Sequence, residues 1–256
     1  MNRLQTRPVP DISVTTRGEV TLAAPDYART KLLAVLERLD EPVLAVRVKL
    51  AQEPNHAVAR PSVAQATLDL NGRPVRAHVA ATTMQEAVDL LQDRLNARIA
   101  RIRTHRHHHR HHEDRPAAGH EHRPQRRELG SEERRIVRHK TYSLARQSAW
   151  AAVLELEAMD YDFHLYTDAH TGCDSVVQHD GATGAYRIAS AGTAPAAEPG
   201  ISVSTRAVPE LSVADAVARL DLGGLPFVFF TNSETGRGNV LYHRYDGHYG
   251  VITPAD

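Results

Sequence analysis

Cysteine is nearly missing from this 256-residue sequence, and the single Cys173 excludes an internal disulfide framework and fits a reducing compartment. Aromatic residues reach only 5%, which argues against one large ring-filled core and for two or three smaller modules. No apolar run nears the roughly 18 residues of a membrane span. The opening MNRLQTRPVPD lacks the apolar segment of a signal peptide, so the expectation is a soluble, cytoplasmic protein with no membrane partner. The sequence has no G-x-G-x-x-G, Walker loop, H-E-x-x-H, G-x-S-x-G or C-x-x-C, which removes the usual signatures of nucleotide, zinc-protease, hydrolase and redox chemistry. Neither charge sign dominates, with 31 basic and 31 acidic side chains. Their distribution is uneven: net +4 over 1–103, +2 over 104–135, and −3 over each of 136–192 and 193–256.

What is present divides into three modules and a spacer, an α+β protein. Residues 1–103 read as a β-α-β-β-β-α domain. The stretch 11–18 alternates as a strand, and from about Pro25 Ala28, Leu32, Val35 and Leu39 share one helix face. Leu44, Val46, Val48 and Leu50 then alternate with Ala45, Arg47 and Lys49, the period of a half-buried strand. Asn71-Gly72 between two alternating runs signals a hairpin. Thr83 and Glu86 form a capping box for a last helix whose core face is Ala87, Val88, Leu91, Leu95, Ile99 and Ile102. Arg94, Arg98 and Arg101 make a basic stripe along that helix, extended by Arg103. With Arg29 and Lys31 from the first helix and Arg47, Lys49 and Arg76 from the sheet, they predict a surface suited to phosphate backbones. Interleaved aromatics for base stacking are missing, so structured RNA read by shape and phosphate is the expected partner.

Residues 104–135 lose periodicity and include HRHHHRHH (105–112), six histidines and two arginines in eight positions. Such a segment cannot bury enough apolar area to offset its ordering entropy, and it reads as a flexible His/Arg-rich linker. A His-rich metal-binding stress protein is the alternative, since imidazoles at this density take up nickel or zinc, although the tract offers no fixed second shell.

The remainder is a duplication. At an offset of 64, ten of the 32 positions in 148–179 are identical in 212–243, Phe163/Phe227, Thr167/Thr231, Gly172/Gly236, Val176/Val240 and His179/His243 among them. We read C-terminal repeat 1 over 136–192 and repeat 2 over 193–256, each a small α+β unit of about 55 residues that needs a partner to cover its core. The other copy supplies one, giving an intramolecular pseudo-dimer. Asp160, Asp162 and His164 are spaced to share one strand face and would be the acids of a small hydrolase or a metal site, but repeat 2 has Gly224, Pro226 and Val228 there. No dedicated metal site, cofactor or catalytic residue is expected.

Residues 82–103, closing the first module, resemble the last helix of ribosome hibernation promoting factors. The stretch 226–252 resembles the C-terminal domain of their long form through Tyr242, Arg244, Asp246, Gly247, Tyr249 and Gly250. The arrangement with two C-terminal copies is similar to dormancy-associated actinobacterial members, of the ribosome-associated factor under hypoxia type. The resemblance implies a non-enzymatic translation silencer, with no catalytic residues. Its N-terminal domain would sit in the small-subunit channel for messenger and transfer RNA, held against rRNA by basic side chains. It places Arg94, Arg98, Arg101 and Arg103 in the family's basic last helix and assigns Arg29, Lys31, Arg47, Lys49 and Arg76 more loosely. Ala97 and Ala100 stand where members often carry further basic residues. In repeat 1, Gln178, Asp180 and Arg187 replace the motif's tyrosine, arginine and glycine. Pairing of the copies within one chain would keep single ribosomes inactive instead of joining two.

Overall fold

The computed structural model describes residues 10–55, 58–107, 123–124, 126–180 and 185–255, which fall into two compact units. The first takes in the described parts of Met1–His107, Ala118–Pro124 and Glu157–Asp160. Its elements are β1 (Ile12–Arg17), α1 (Ala24–Leu36), β2 (Val43–Gln52), β3 (Ser62–Leu70), β4 (Arg73–Ala81) and α2 (Met84–His107). The sheet runs β1-β2-β3-β4, parallel across the β1/β2 crossover through α1 and antiparallel after it. Asn71 (φ 52°) and Gly72 (φ 84°) make the two-residue turn between β3 and β4 that the dipeptide predicts. The Glu86 N–H donates to Thr83 Oγ1 at 3.2 Å, half of the expected capping box, while the Glu86 carboxylate accepts from the Thr82 N–H at 3.1 Å, one residue before the N-cap.

One core joins Ala28, Leu32 and Val35 of α1, Leu91, Leu95 and Ile99 of α2, and Val46, Val48, Leu68, Val75 and Val79 of the sheet. Each fully buried leucine contributes roughly 1.5–3 kcal/mol. Leu44 departs from expectation: it is 60% exposed, because the β2/β3 register shifts between Val43 and Ala45 and turns Val43 toward the core instead.

The second unit holds the duplication. Its elements are β5 (Ile136–Tyr142), β6 (Arg146–Gln147), α3 (Ala149–Ala158, of which Glu157 and Ala158 belong to the first unit), β7 (Phe163–Asp168), β8 (Asp174–His179) and β9 (Tyr186–Ser190), then β10 (Ile201–Val203), β11 (Glu210–Leu211), α4 (Val213–Gly223), β12 (Phe227–Asn232), β13 (Gly238–His243) and β14 (Tyr249–Pro254). One sheet runs β10-β9-β8-β7-β6 and the other β11-β12-β13-β14-β5. The leading strands are therefore exchanged: β5, which precedes the first copy, adds parallel to β14 of the second, and β10, which precedes the second, adds parallel to β9 of the first. The hydrophobic clusters follow the exchange. Ile201 packs with Leu156, Tyr166, Tyr186 and Ile188 of the first copy, and Ile136 with Leu220, Phe230, Leu241 and Tyr249 of the second. A third cluster takes Leu165 and Val176 from one sheet and Phe229, Val240 and Ile252 from the other, with the Phe163 and Phe227 rings 4.5 Å apart.

Part of the expected flexible linker also belongs to this unit. The Arg127 N–H donates to the Tyr245 carbonyl at 2.9 Å, and Arg134 pairs with Asp221 at 2.6 Å. Those partners lie more than 80 residues away, so local periodicity carries no trace of them. Residues 108–122, with the greater part of the histidine tract, lie outside the described residues.

The altered motif of the first copy is a compensated change. In the second copy Tyr242 stands opposite Gly250, and a Cβ on Gly250 would come within 2.5 Å of the Tyr242 ring. In the first, Gln178 stands opposite Arg187, whose guanidinium pairs with Asp180 at 2.8 Å. Losing the tyrosine removes the need for glycine, and aspartate in place of Arg244 supplies the new cation with a partner. Gly250→Ala is expected to lower the thermal midpoint by about 5 °C through overpacking. Adding Tyr242→Gln should restore part of that loss, as followed by circular dichroism.

Candidate nucleic-acid interface

With α1 and α2 sharing the core on one side of the first sheet, alternation sends the intervening side chains to the other. The register aligns Ser13, Arg47, Thr67 and Arg76 in one row across the strands and Thr15, Lys49, Gln65 and His78 in the next. Arg17 has the same parity at the end of β1. Arg17, Arg47 and Lys49 are exposed and have no carboxylate partner among the described residues. Arg76 is half-buried and donates to Gln65 Oε1 at 3.1 Å. Among the residues that the four strands contribute to this face, Asp69 is the acid, and its Oδ1 accepts from the Gly72 N–H at 2.7 Å. The result is a cationic surface dotted with hydroxyl and amide groups, a chemistry that matches phosphate and ribose oxygens. Arg17, Ser13, Thr15 and Thr67 were not picked out from the sequence. The period-two alternation of ISVTTR, continued across the sheet, is the signal that finds them.

The helix arginines sit differently from the solvent-facing stripe expected. Arg94 donates to both carboxylate oxygens of Asp160, at 3.0 and 2.9 Å. Arg98 bonds to Asp160 and to the Glu157 carbonyl, Arg101 reaches Glu157 Oε2 at 2.8 Å, and Arg123 reaches Asp160 Oδ1 at 2.8 Å. Arg98 is buried, as are both acids. Burial alone would raise the Asp160 carboxyl, but the Arg98, Arg94 and Arg123 guanidiniums more than offset it and hold the group below its ordinary range. Among the described residues, four guanidiniums face two carboxylates in this cluster. These acid partners lie 56–66 residues away in sequence, so the helix itself carries no sign of them.

Arg29 pairs with Asp26 and Lys31 with Asp89, both at 2.7 Å, so these two cations are partly neutralised by their own unit. Arg103 is half-buried on α2. The strand-face trio expected of Asp160, Asp162 and His164 does not form: Asp160 precedes β7 in a left-handed turn (φ 54°). Asp162 pairs with Arg126, and the His164 ring meets Gln147 Oε1 at 3.2 Å. Burial lowers the His164 imidazole. No group of three potential metal ligands occurs among the described residues, and no helix there is long and apolar enough to cross a membrane. His179 and His243 have matching roles, each ring lying 5.3 or 5.1 Å from Tyr186 or Tyr249.

Two sequence profiles of one family match the chain. The Sigma 54 modulation protein / S30EA ribosomal protein profile covers residues 12–107, and the profile of the Sigma 54 modulation/S30EA ribosomal protein C terminus covers 131–186 and again 201–251. The chain belongs to this family, in the long form that carries the C-terminal domain. It is 44% identical over 143 residues to the dormancy associated translation inhibitor of Mycobacterium tuberculosis, 52% of either chain, so it spans about half the length of the curated relatives it matches first. It is also 41% identical over 54 residues, 21% of this chain and 27% of the other, to a ribosome hibernation promotion factor of Bradyrhizobium diazoefficiens. Among solved structures, the N-terminal domain of Thermus thermophilus Protein Y matches 36% of this chain and 97% of its own, at 25% identity and a TM-score of 0.30.

His78 ends one row of the open face, its backbone N–H donating to Asp160 Oδ2 at 3.2 Å. Burial, then the Arg76 guanidinium, pushes its imidazole down to about 4 from an ordinary 6.5. The neutral ring thus stabilises the fold fully above pH 6.5, and that contribution is lost as pH falls toward 4. The loss amounts to about 2–3 kcal/mol. Amide exchange in β4 is expected to speed up between pH 6.5 and 4.5, after correction for intrinsic rates, and His78→Gln should flatten that dependence.

Proposed function

We propose that this chain is a non-enzymatic ribosome hibernation factor, and that its first unit lays the open sheet face and the basic side of α2 on small-subunit rRNA in the decoding channel. There it would exclude messenger and transfer RNA and silence translation in stress or dormancy. The observation that carries this reading is the sheet face itself, where Arg17, Arg47 and Lys49 stand exposed, with no acid partner among the described residues, beside a row of hydroxyl and amide groups. The names of its relatives, a dormancy associated translation inhibitor and a ribosome hibernation promotion factor, point the same way. Arg94, Arg98, Arg101 and Arg103 add positive potential from the helix, and Arg29, Lys31 and Arg76 flank the contact. A ribosome-bound protein of this kind works in the cytoplasm.

We further infer that the two C-terminal copies pair within one chain, supported by the exchanged strands and the cluster shared by both sheets. Tethering gives each copy a partner at an effective concentration on the order of millimolar, so pairing between ribosome-bound molecules is outcompeted. Single 70S ribosomes, rather than ribosome pairs, follow.

Arg47→Glu/Lys49→Glu is expected to weaken co-sedimentation with ribosomes at least tenfold at 0.15 M salt and to flatten its salt dependence, since each lost phosphate contact removes about 0.7–0.9 from the slope. Unchanged binding with an unchanged slope would remove the sheet face from the interface.

A further inference from the structure

We propose that Asp174, Arg237 and Gly238 make the contact between the two C-terminal copies heterotypic, so that a first copy accepts a second copy and rejects another of its own kind. This inference deepens the pairing read above and rests on it. Asp174 is buried where the two sheets meet. Its Oδ2 accepts from Arg237 Nε at 2.8 Å and from the Gly238 N–H at 2.9 Å, and its Oδ1 accepts from Arg237 Nη2 at 3.1 Å. Arg237 Nη1 also donates to the Ala255 carbonyl at 3.3 Å. One carboxylate from the first copy is thus gripped by a fork and a backbone donor from the second.

The 64-residue offset shows why this contact has a direction. The counterpart of Asp174 is Gly238, that of Arg237 is Cys173, and that of Phe229 is Leu165. A Cβ on Gly238 would lie 2.7 Å from the Asp174 Cβ and 2.9 Å from the Phe229 ring. Asp174 therefore fits only opposite a residue with no side chain, and Phe229 fills the space beside that glycine. A pair of first copies would oppose two Asp174 carboxylates, with Cys173 in place of each arginine: two charges would be buried without a cation. A pair of second copies would set two Gly238 together and leave each Arg237 without a carboxylate. The mixed pair alone matches bulk to space and charge to charge, which is specificity by exclusion of the wrong partners.

The test uses full-length protein. Asp174→Ala and Arg237→Ala should each lower the thermal midpoint of the second unit by roughly 5–10 °C, and the double variant by no more than the larger single effect. Additive losses would overturn the proposal. An exchange variant then moves the lock to the other side: Leu165→Phe, Cys173→Arg and Asp174→Gly with Phe229→Leu, Arg237→Cys and Gly238→Asp. Recovery to within a few degrees of the native midpoint is expected, whereas either half of the exchange alone should fall well below it. Equal damage from the full exchange and its halves would count against the lock. Sedimentation of the native chain separates this from the parent reading. A dimer whose variants still follow the exchange pattern would sink pairing within one chain and support the heterotypic contact.

Discussion

A four-stranded sheet whose helices both lie on one side has to find something for its other side to do. In this chain α1 and α2 pack over Val46, Val48, Leu68, Val75 and Val79, and strand alternation leaves the opposite face to Arg47, Lys49, Thr67 and their neighbours. That face cannot be apolar without inviting aggregation, and here it is polar with one sign of charge in excess. The functional reading grows from this one-sided cover. A broad, flat surface of cations and hydroxyl groups is poorly suited to holding a small molecule and well suited to the spaced phosphates of folded RNA.

The second unit answers a different constraint. A repeat of about 55 residues has too little interior to stand by itself. Exchange of leading strands gives each sheet a fifth strand and sends Ile136 and Ile201 into cores that belong, by sequence, to the other copy. In the pairing proposed above, duplication makes available to a single chain a contact that would otherwise require two molecules. Once the partners are fixed by covalent linkage they are free to diverge. Gln178 with Arg187 against Tyr242 with Gly250, and Asp174 against Gly238, are the marks of that divergence.

Much of this is legible in the sequence because it is local. Strand alternation, the Asn71-Gly72 turn, the Thr83/Glu86 cap and the core faces of the helices follow from spacings of two, three and four residues. The duplication is legible because the chain contains its own comparison. What escapes is set by residues far apart: the register shift that exposes Leu44, the anchoring of Arg127 and Arg134, and the exchange of β5 and β10. The helix arginines show the limit most clearly. Their spacing puts them along one side of the helix, but Glu157 and Asp160, which bury Arg98, lie some 60 residues on. Within the candidate interface Arg47, Lys49 and Arg76 are readable from alternation, while Arg17 becomes visible only once β1 is aligned beside β2.

In the proposed function, rRNA meets the open face of the first sheet. A cryo-EM map of this chain bound to its cognate ribosome tests that directly. The expected result is density for residues 12–107 in the messenger channel of the small subunit, with Arg17, Arg47 and Lys49 within hydrogen-bonding reach of rRNA phosphates. A first unit docked elsewhere, or one seated there with this face turned to solvent, would contradict it.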